Sequence, residues 1–160
     1  MKRAAVLTIS DSCHQRLRAD ASGPAVSSLL TEAGWKVVRS HIVPDEVDAI
    51  RNAIRDLATE ATLIVTTGGT GLALRDVTPE AVRPLLDKEI PGVGELMRSS
   101  AFEQNKASAL SRSLAGTMGG CLVLCLPGSP RGASESLAAV LPILTHALYV
   151  LSGQTEHKED

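Results

Sequence analysis

The sequence predicts an α/β protein of three layers, α/β/α, around a mostly parallel central sheet. Apolar runs rich in β-branched residues, at Arg3–Ile9, 35–43, 61–65 and Cys121–Leu126, alternate with segments of helical period. These runs are hydrophobic throughout, as strands are when helices cover both faces of a sheet, and most connections between them are short. The chain has 160 residues, 44% of them hydrophobic, enough for one full core. No internal repeat or linker divides it, so residues 1–153 read as a single domain and 154–160 as a polar tail.

The first strand ends in Ser10-Asp11-Ser12, short polar side chains at a strand's carboxyl end, where ligands collect in open α/β sheets. The loop that follows carries Arg16 and Arg18, runs through Asp20-Ala21-Ser22-Gly23, and is long for a strand-to-helix connection. Ser22 or Gly23 is expected to cap a helix with Pro24 in its first turn, Ala25, Leu29, Leu30 and Ala33 inward, and Gly34 as its stop. The second strand ends at Pro44-Asp45. Asp45 is expected to cap a helix that buries Val47, Ile50, Ile54 and Leu57, with Asp48 as a weaker capping-box partner.

After the third strand, Thr78-Pro79-Glu80 reads as a helix start, Thr as cap and Pro at the first position, running to about Leu86. Glu89-Ile90-Pro91-Gly92 breaks it, and a shorter helix over 93–101 turns Leu96 and Met97 inward. Residues 105–114 are ambiguous. Within them Ser111-Arg112-Ser113 sets hydroxyls beside a guanidinium, which suits an anion or a solvated turn. The fourth strand ends in Pro127-Gly128-Ser129-Pro130. A final helix over 133–151 has Leu137, Val140, Leu144, Ala147, Leu148 and Leu151 in helical period and a kink or restart at Pro142.

The chemistry centres on Val65-Thr66-Thr67-Gly68-Gly69-Thr70-Gly71, with Asp76 five residues on. Glycines after a buried strand free the main chain to turn N–H groups toward an anion. A nearby carboxylate suits a magnesium ion, which prefers carboxylate oxygen beside phosphate oxygens. Gly-Gly-Thr-Gly lacks the Lys-Ser/Thr of a P-loop and the spacing of the dinucleotide fingerprint. A tight strand-to-helix turn without a ligand is therefore the alternative. The turn at Pro127-Gly128-Ser129 is placed to form the other wall of the same crevice.

Composition narrows the partners. The net charge is -2 and the aromatic residues are Trp35, Phe102 and Tyr149, so neither charge nor stacking surface points to nucleic acid. No apolar stretch approaches the length of a membrane span, and the opening residues are too few for a signal peptide. Cys13, Cys121 and Cys125 make no even disulfide set, which together predicts a cytoplasmic protein. Cys121 and Cys125 lie on one strand face and read as core, and the four histidines are scattered, so none is assigned to a metal.

Seven segments in order resemble the molybdopterin adenylyltransferases of molybdenum cofactor biosynthesis, the MogA/MoaB type. They are Leu7-Thr8-Ile9-Ser10-Asp11, Asp20-Ala21-Ser22-Gly23, Val43-Pro44-Asp45, Thr67-Gly68-Gly69-Thr70-Gly71, Arg75-Asp76-Val77-Thr78-Pro79-Glu80, Leu110-Ser111-Arg112-Ser113-Leu114-Ala115-Gly116 and Leu126-Pro127-Gly128-Ser129-Pro130. The resemblance runs end to end. It implies magnesium-dependent adenylylation of molybdopterin by ATP with release of pyrophosphate, in a homotrimer, with the pathway's molybdate-insertion protein as a further partner. By position it implies Asp76 and Asp45 as catalytic magnesium ligands, and Gly68, Gly69, Thr70, Gly71, Ser10 and Asp11 as the nucleotide site. Ser111, Arg112, Pro127, Gly128 and Ser129 then form the molybdopterin side. The alternatives are a non-catalytic molybdopterin-binding protein of the same fold, a partly similar enzyme acting on nucleotide pyrophosphates, or a scaffolding trimer. The intact Arg75-Asp76-Val77-Thr78-Pro79-Glu80 run favours the enzyme.

Overall fold

A computed structural model describes residues 2–154, so the tail expected from 154 onward lies outside the described residues except for Gln154. The sheet has six strands: β1 (Arg3–Ile9), β2 (Lys36–Val43), β3 (Leu63–Thr67), β4 (Lys88–Glu89), β5 (Leu114–Met118) and β6 (Cys121–Leu126). Their order across the sheet is β2-β1-β3-β6-β5-β4. The first four in that order are parallel; β5 runs antiparallel to β6, and β4, antiparallel to β5, ends the sheet in the direction of the first four.

Six helices cover the faces: α1 (Asp11–His14), α2 (Ser22–Glu32), α3 (Val47–Leu57), α4 (Thr78–Val82), α5 (Pro91–Phe102) and α6 (Pro130–Leu151). The period of two along each strand divides the core. Ala4, Val6, Leu63, Val65, Leu122 and Leu124 face α2, α5 and α6, through residues such as Leu30, Met97 and Leu137. Ala5, Leu7, Ile64, Val123 and Cys125 face α3 and α4, through Ile50, Ile54 and Val82. This is the expected three-layer arrangement. Cys121 and Cys125 are buried, and burial pushes the Cys125 thiol up to about 12.

Several local expectations are overturned. β4 and β5 were not anticipated: one is two exposed residues, and the other emerges from the ambiguous 105–114 stretch after a 3₁₀ turn at Lys106–Leu110. The helix expected to reach Leu86 is α4 followed by a 3₁₀ turn at Arg83–Leu85. Leu96 is 37% exposed while Met97 is buried. α6 does not restart at Pro142, which lies inside one continuous helix. It is also, by length and composition alone, apolar enough to cross a membrane, contrary to the sequence reading. One side of it nevertheless buries Ala133, Leu137, Val140 and Leu144 in the core.

All three proposed N-caps are replaced. Ala21, Glu46 and Val77 occupy the cap positions of α2, α3 and α4, none with a side-chain hydrogen bond. Ser22, Asp45 and Thr78 spend their side chains on tertiary partners instead: the Thr67 hydroxyl, the Asp11 amide and the Gly68 carbonyl.

Candidate active site

Strand order places the crevice. From β1 the chain moves to β2 on one side and then to β3 on the other, so the carboxyl ends of β1 and β3 flank a topological switch point. A polar cavity of about 630 Å³ opens there, lined by Ser10 after β1, Asp45 after β2, Thr67, Gly68 and Gly69 at the end of β3, and Asp76. Sequence reasoning named most of these. It did not assign Arg18, Asp20, Ser22 and Thr67, which line the same cavity. Asp20 accepts from the Thr8 hydroxyl at 2.6 Å and the Gly23 amide at 3.0 Å, work that its place before Ser-Gly signalled but did not specify.

The glycine loop is held by its carbonyls. The Thr78 hydroxyl donates to the Gly68 carbonyl at 2.8 Å and the Thr78 amide to that of Gly69 at 3.0 Å. The Arg112 amide donates to the Thr70 carbonyl at 2.8 Å and its Nε to that of Gly71 at 2.9 Å. With every carbonyl of the turn occupied, the amides of Gly69, Thr70 and Gly71 have no acceptor among the described residues, the state of a backbone nest that binds anions. Gly68 has φ +99, and a Cβ there would collide with the Ile9 carbonyl oxygen; at Gly69, φ +68, it would collide with the Thr78 hydroxyl. Only glycine allows this approach to β1.

The two leading carboxylates are set differently. Asp45 and Asp11 exchange hydrogen bonds, each carboxylate accepting the other's amide at 2.9 Å. Arg75 then grips Asp11 with Nε and Nη2, both at 2.9 Å. Asp11 does not line the cavity; its carboxylate is turned to Arg75 and to Asp45. The Arg75 hydrogen bond holds the Asp11 carboxyl below its ordinary value. Burial, and then the negative charges of Asp11 and Asp76, push the Asp45 carboxyl above its own, against the hydrogen bond from Asp11. Asp76 accepts from the Ala73 amide at 3.0 Å, closing a tight turn.

A second, more apolar cleft of about 670 Å³ adjoins the first, lined by Thr70, Gly71, Leu72, Met97, Ala101, Leu110 and Ser111 among others. Pro127 lines it too, and Gly128 and Ser129 line both clefts. The Ser111 hydroxyl lies 2.8 Å from that of Ser113, and Ser129 caps α6 through the Gly132 amide. Arg112 lines neither cleft. Its Nη2 donates to the Asp76 carbonyl at 2.7 Å and its Nη1 pairs with Glu80, so the guanidinium is committed to the loop.

Carboxylates facing a phosphate loop fit magnesium. Among the described residues no group of three or more His, Cys, Asp or Glu forms a metal site by itself. Magnesium asks for no such cage, since it is held by one or two carboxylates and completes its shell with substrate phosphate and water. Asp45 and Asp76, which line one cavity, would be the residues to hold it.

An open α/β sheet with amide donors and carboxylates at its switch point, beside a more apolar cleft, has the architecture of a ligand-binding α/β protein. The chain belongs to the molybdopterin-binding domain family of molybdenum cofactor biosynthesis: a family model described as a probable molybdopterin binding domain matches residues 5–146. Its structure is similar to that of the molybdopterin biosynthesis enzyme MoaB of Thermus thermophilus, with 46% identity and a TM-score of 0.90 over 96% of this chain and 98% of that one. The molybdopterin adenylyltransferase of Helicobacter pylori strain J99 is 38% identical over 152 residues, 92% of this chain and 86% of its own length. The molybdenum cofactor synthesis protein cinnamon of Drosophila melanogaster is 43% identical over 150 residues, and the match spans 25% of that longer protein.

Proposed function

We propose that this chain adenylylates molybdopterin, using ATP and magnesium and releasing pyrophosphate. The observation that carries the reading is the wall shared at Gly128 and Ser129. A ligand whose ring lies in the apolar cleft, which Thr70 and Gly71 line, has its phosphate at the border of the cavity that holds Gly68, Gly69 and the carboxylates. An oxygen of the terminal molybdopterin phosphate bonds to the α-phosphorus of ATP. The bond from that phosphorus to the bridging oxygen breaks, and its electron pair leaves with pyrophosphate.

Such transfers demand positioning and charge stabilisation more than covalent help from the protein. The amides of Gly69, Thr70 and Gly71 hold ATP phosphates, with Ser10 at the cavity's edge, while Asp11 acts one step back by orienting Asp45. Ser111 and Pro127-Gly128-Ser129 hold the pterin side. Asp45 and Asp76 hold magnesium, which when bound neutralises charge on the phosphates. We place the protein in the cytoplasm as a homotrimer, supplying the molybdate-insertion protein of the pathway. Ile143 and Val150, exposed on α6, support an assembly through that helix, and sedimentation velocity measures it.

Purified protein incubated with molybdopterin, ATP and magnesium is expected to form pyrophosphate and adenylylated pterin in equal amounts. Pterin binding with neither product, beside an active family member as control, would refute catalysis and leave a binding protein.

A further inference from the structure

Arg112 occupies a position that neither substrate cleft explains. Its amide and two guanidinium nitrogens take the carbonyls of Thr70, Gly71 and Asp76, at 2.8, 2.9 and 2.7 Å, and the third nitrogen takes Glu80 on α4. One planar group thus closes the two ends of the 70–76 loop against a helix. The loop's other ties are the turn that Asp76 closes on Ala73 and the grip of Arg75 on Asp11. Leu72 and Leu74, between the two ends, are 68% and 99% exposed, so it is not held by burying its own side chains. Behind it, Ser111 and Ser113 are fixed by Arg98, which donates to both carbonyls at 3.3 and 2.7 Å. The base from which Arg112 reaches out is therefore itself pinned.

We propose that Arg112, oriented by Glu80, is a positioning residue that sets Asp76 and the phosphate-loop amides, and is not a ligand of the pterin. The proposal rests on the adenylyltransferase reading for the role of Asp76. A carboxylate at the tip of a loop reproduces its position only as well as the loop's ends are fixed, and small misplacements are costly in group transfer. The fork geometry of guanidinium lets one side chain reach carbonyls five residues apart. A lysine ammonium has no such fork and cannot replace it. The Glu80 carboxyl is held below its ordinary value, first by its hydrogen bond with Arg112.

The test compares Arg112→Gln, Arg112→Lys and Glu80→Gln with the parent in three measurements. These are molybdopterin affinity, the magnesium concentration for half-maximal pyrophosphate release, and amide hydrogen exchange over 70–77. For Arg112→Gln the half-saturating magnesium should rise about tenfold, as for other outer partners of metal ligands. Exchange over 70–77 should quicken, and molybdopterin affinity should stay within about twofold. Arg112→Lys should recover little. Glu80→Gln keeps the guanidinium and should shift magnesium dependence the same way by about threefold, the scale of an exposed ion pair. That arm stands even if the Arg112 variants fold poorly, and an unchanged Glu80→Gln would remove Glu80 from the proposal. A tenfold loss of pterin affinity in Arg112→Gln, with exchange and magnesium dependence unchanged, would make Arg112 a pterin ligand and overturn the idea. If the parent itself formed no product, the reaction assignment would fall, while exchange and pterin affinity would still decide the positioning role.

Discussion

The cavity at the ends of β1 and β3 and the apolar cleft beside it share Gly128 and Ser129, but their walls are made in different ways. In the cavity nearly every polar group is held by another. Asp45 is braced by Asp11, Asp11 by Arg75, Asp20 by Thr8 and Gly23, and the loop carbonyls by Thr78 and Arg112. The cleft is walled by α5, the Leu72 loop, Leu110 and the start of α6; apolar surface predominates in it, and Gln104, Asn105, Arg131 and Glu135 are polar groups on its wall. Charge stabilisation in phosphate chemistry works through donors and carboxylates fixed before the reaction, whereas a ring system is held by surface and a few polar contacts.

If the two clefts divide the work in this way, substitutions should separate them. Asp76→Asn is expected to have the largest effect, lowering turnover by about a thousandfold or more while molybdopterin affinity is unchanged. Adenylyl transfer measured beside equilibrium pterin binding checks it, and a variant turning over at the parent rate would deny Asp76 its metal. On the other wall, Ser111→Ala should weaken molybdopterin about threefold to tenfold, the value of one hydrogen bond, and leave the magnesium dependence alone. A shift in magnesium dependence instead would merge the two sites.

The smallest expected effect is on stability against pH, where Asp11 and Asp45 have opposite signs. Asp11 has a lowered folded value, so its stabilising contribution is present above the ordinary aspartate value of about 3.9 and is lost as pH falls through the lower one. Asp45 has a raised folded value. Its contribution is full below about 3.9 and is lost as pH rises through the folded value. Melting curves from about pH 3 to 7 should therefore show Asp11→Asn losing part of the acid-limb dependence and Asp45→Asn losing a decline on the neutral side, each by a few degrees. The same sign for both would contradict the arrangement in which Arg75 compensates Asp11 and burial dominates Asp45.

Much of this was legible in the chain. β1, β3 and β6 are apolar except at Arg3, Thr8, Thr66 and Thr67 because helices cover both sides, and that pattern needs no tertiary information. Gly68 and Gly69 stand where no Cβ fits, so the tight turn after β3 announced itself through residue type. β4 and β5 escaped because two exposed residues carry no period and Gly116 weakens the strand signal in β5. Ser111-Arg112-Ser113 read as an anion site or a solvated turn because a guanidinium beside two hydroxyls has the same sequence whether it meets a phosphate, a carbonyl or water.

The sequence by itself determined the layering, the strands of the parallel sheet, and the place of the glycine turn at its switch point, since these follow from hydrophobic period and from steric limits local to each residue. Tertiary structure alone decided what each polar side chain does. Ser22, Asp45 and Thr78 each had a local helix end to cap and bonded instead to Thr67, Asp11 and Gly68. A local and a long-range hydrogen bond are worth about the same, roughly 1 kcal/mol net. Packing of the sheet and its helices chooses between them by bringing the distant partner within reach and shutting out water.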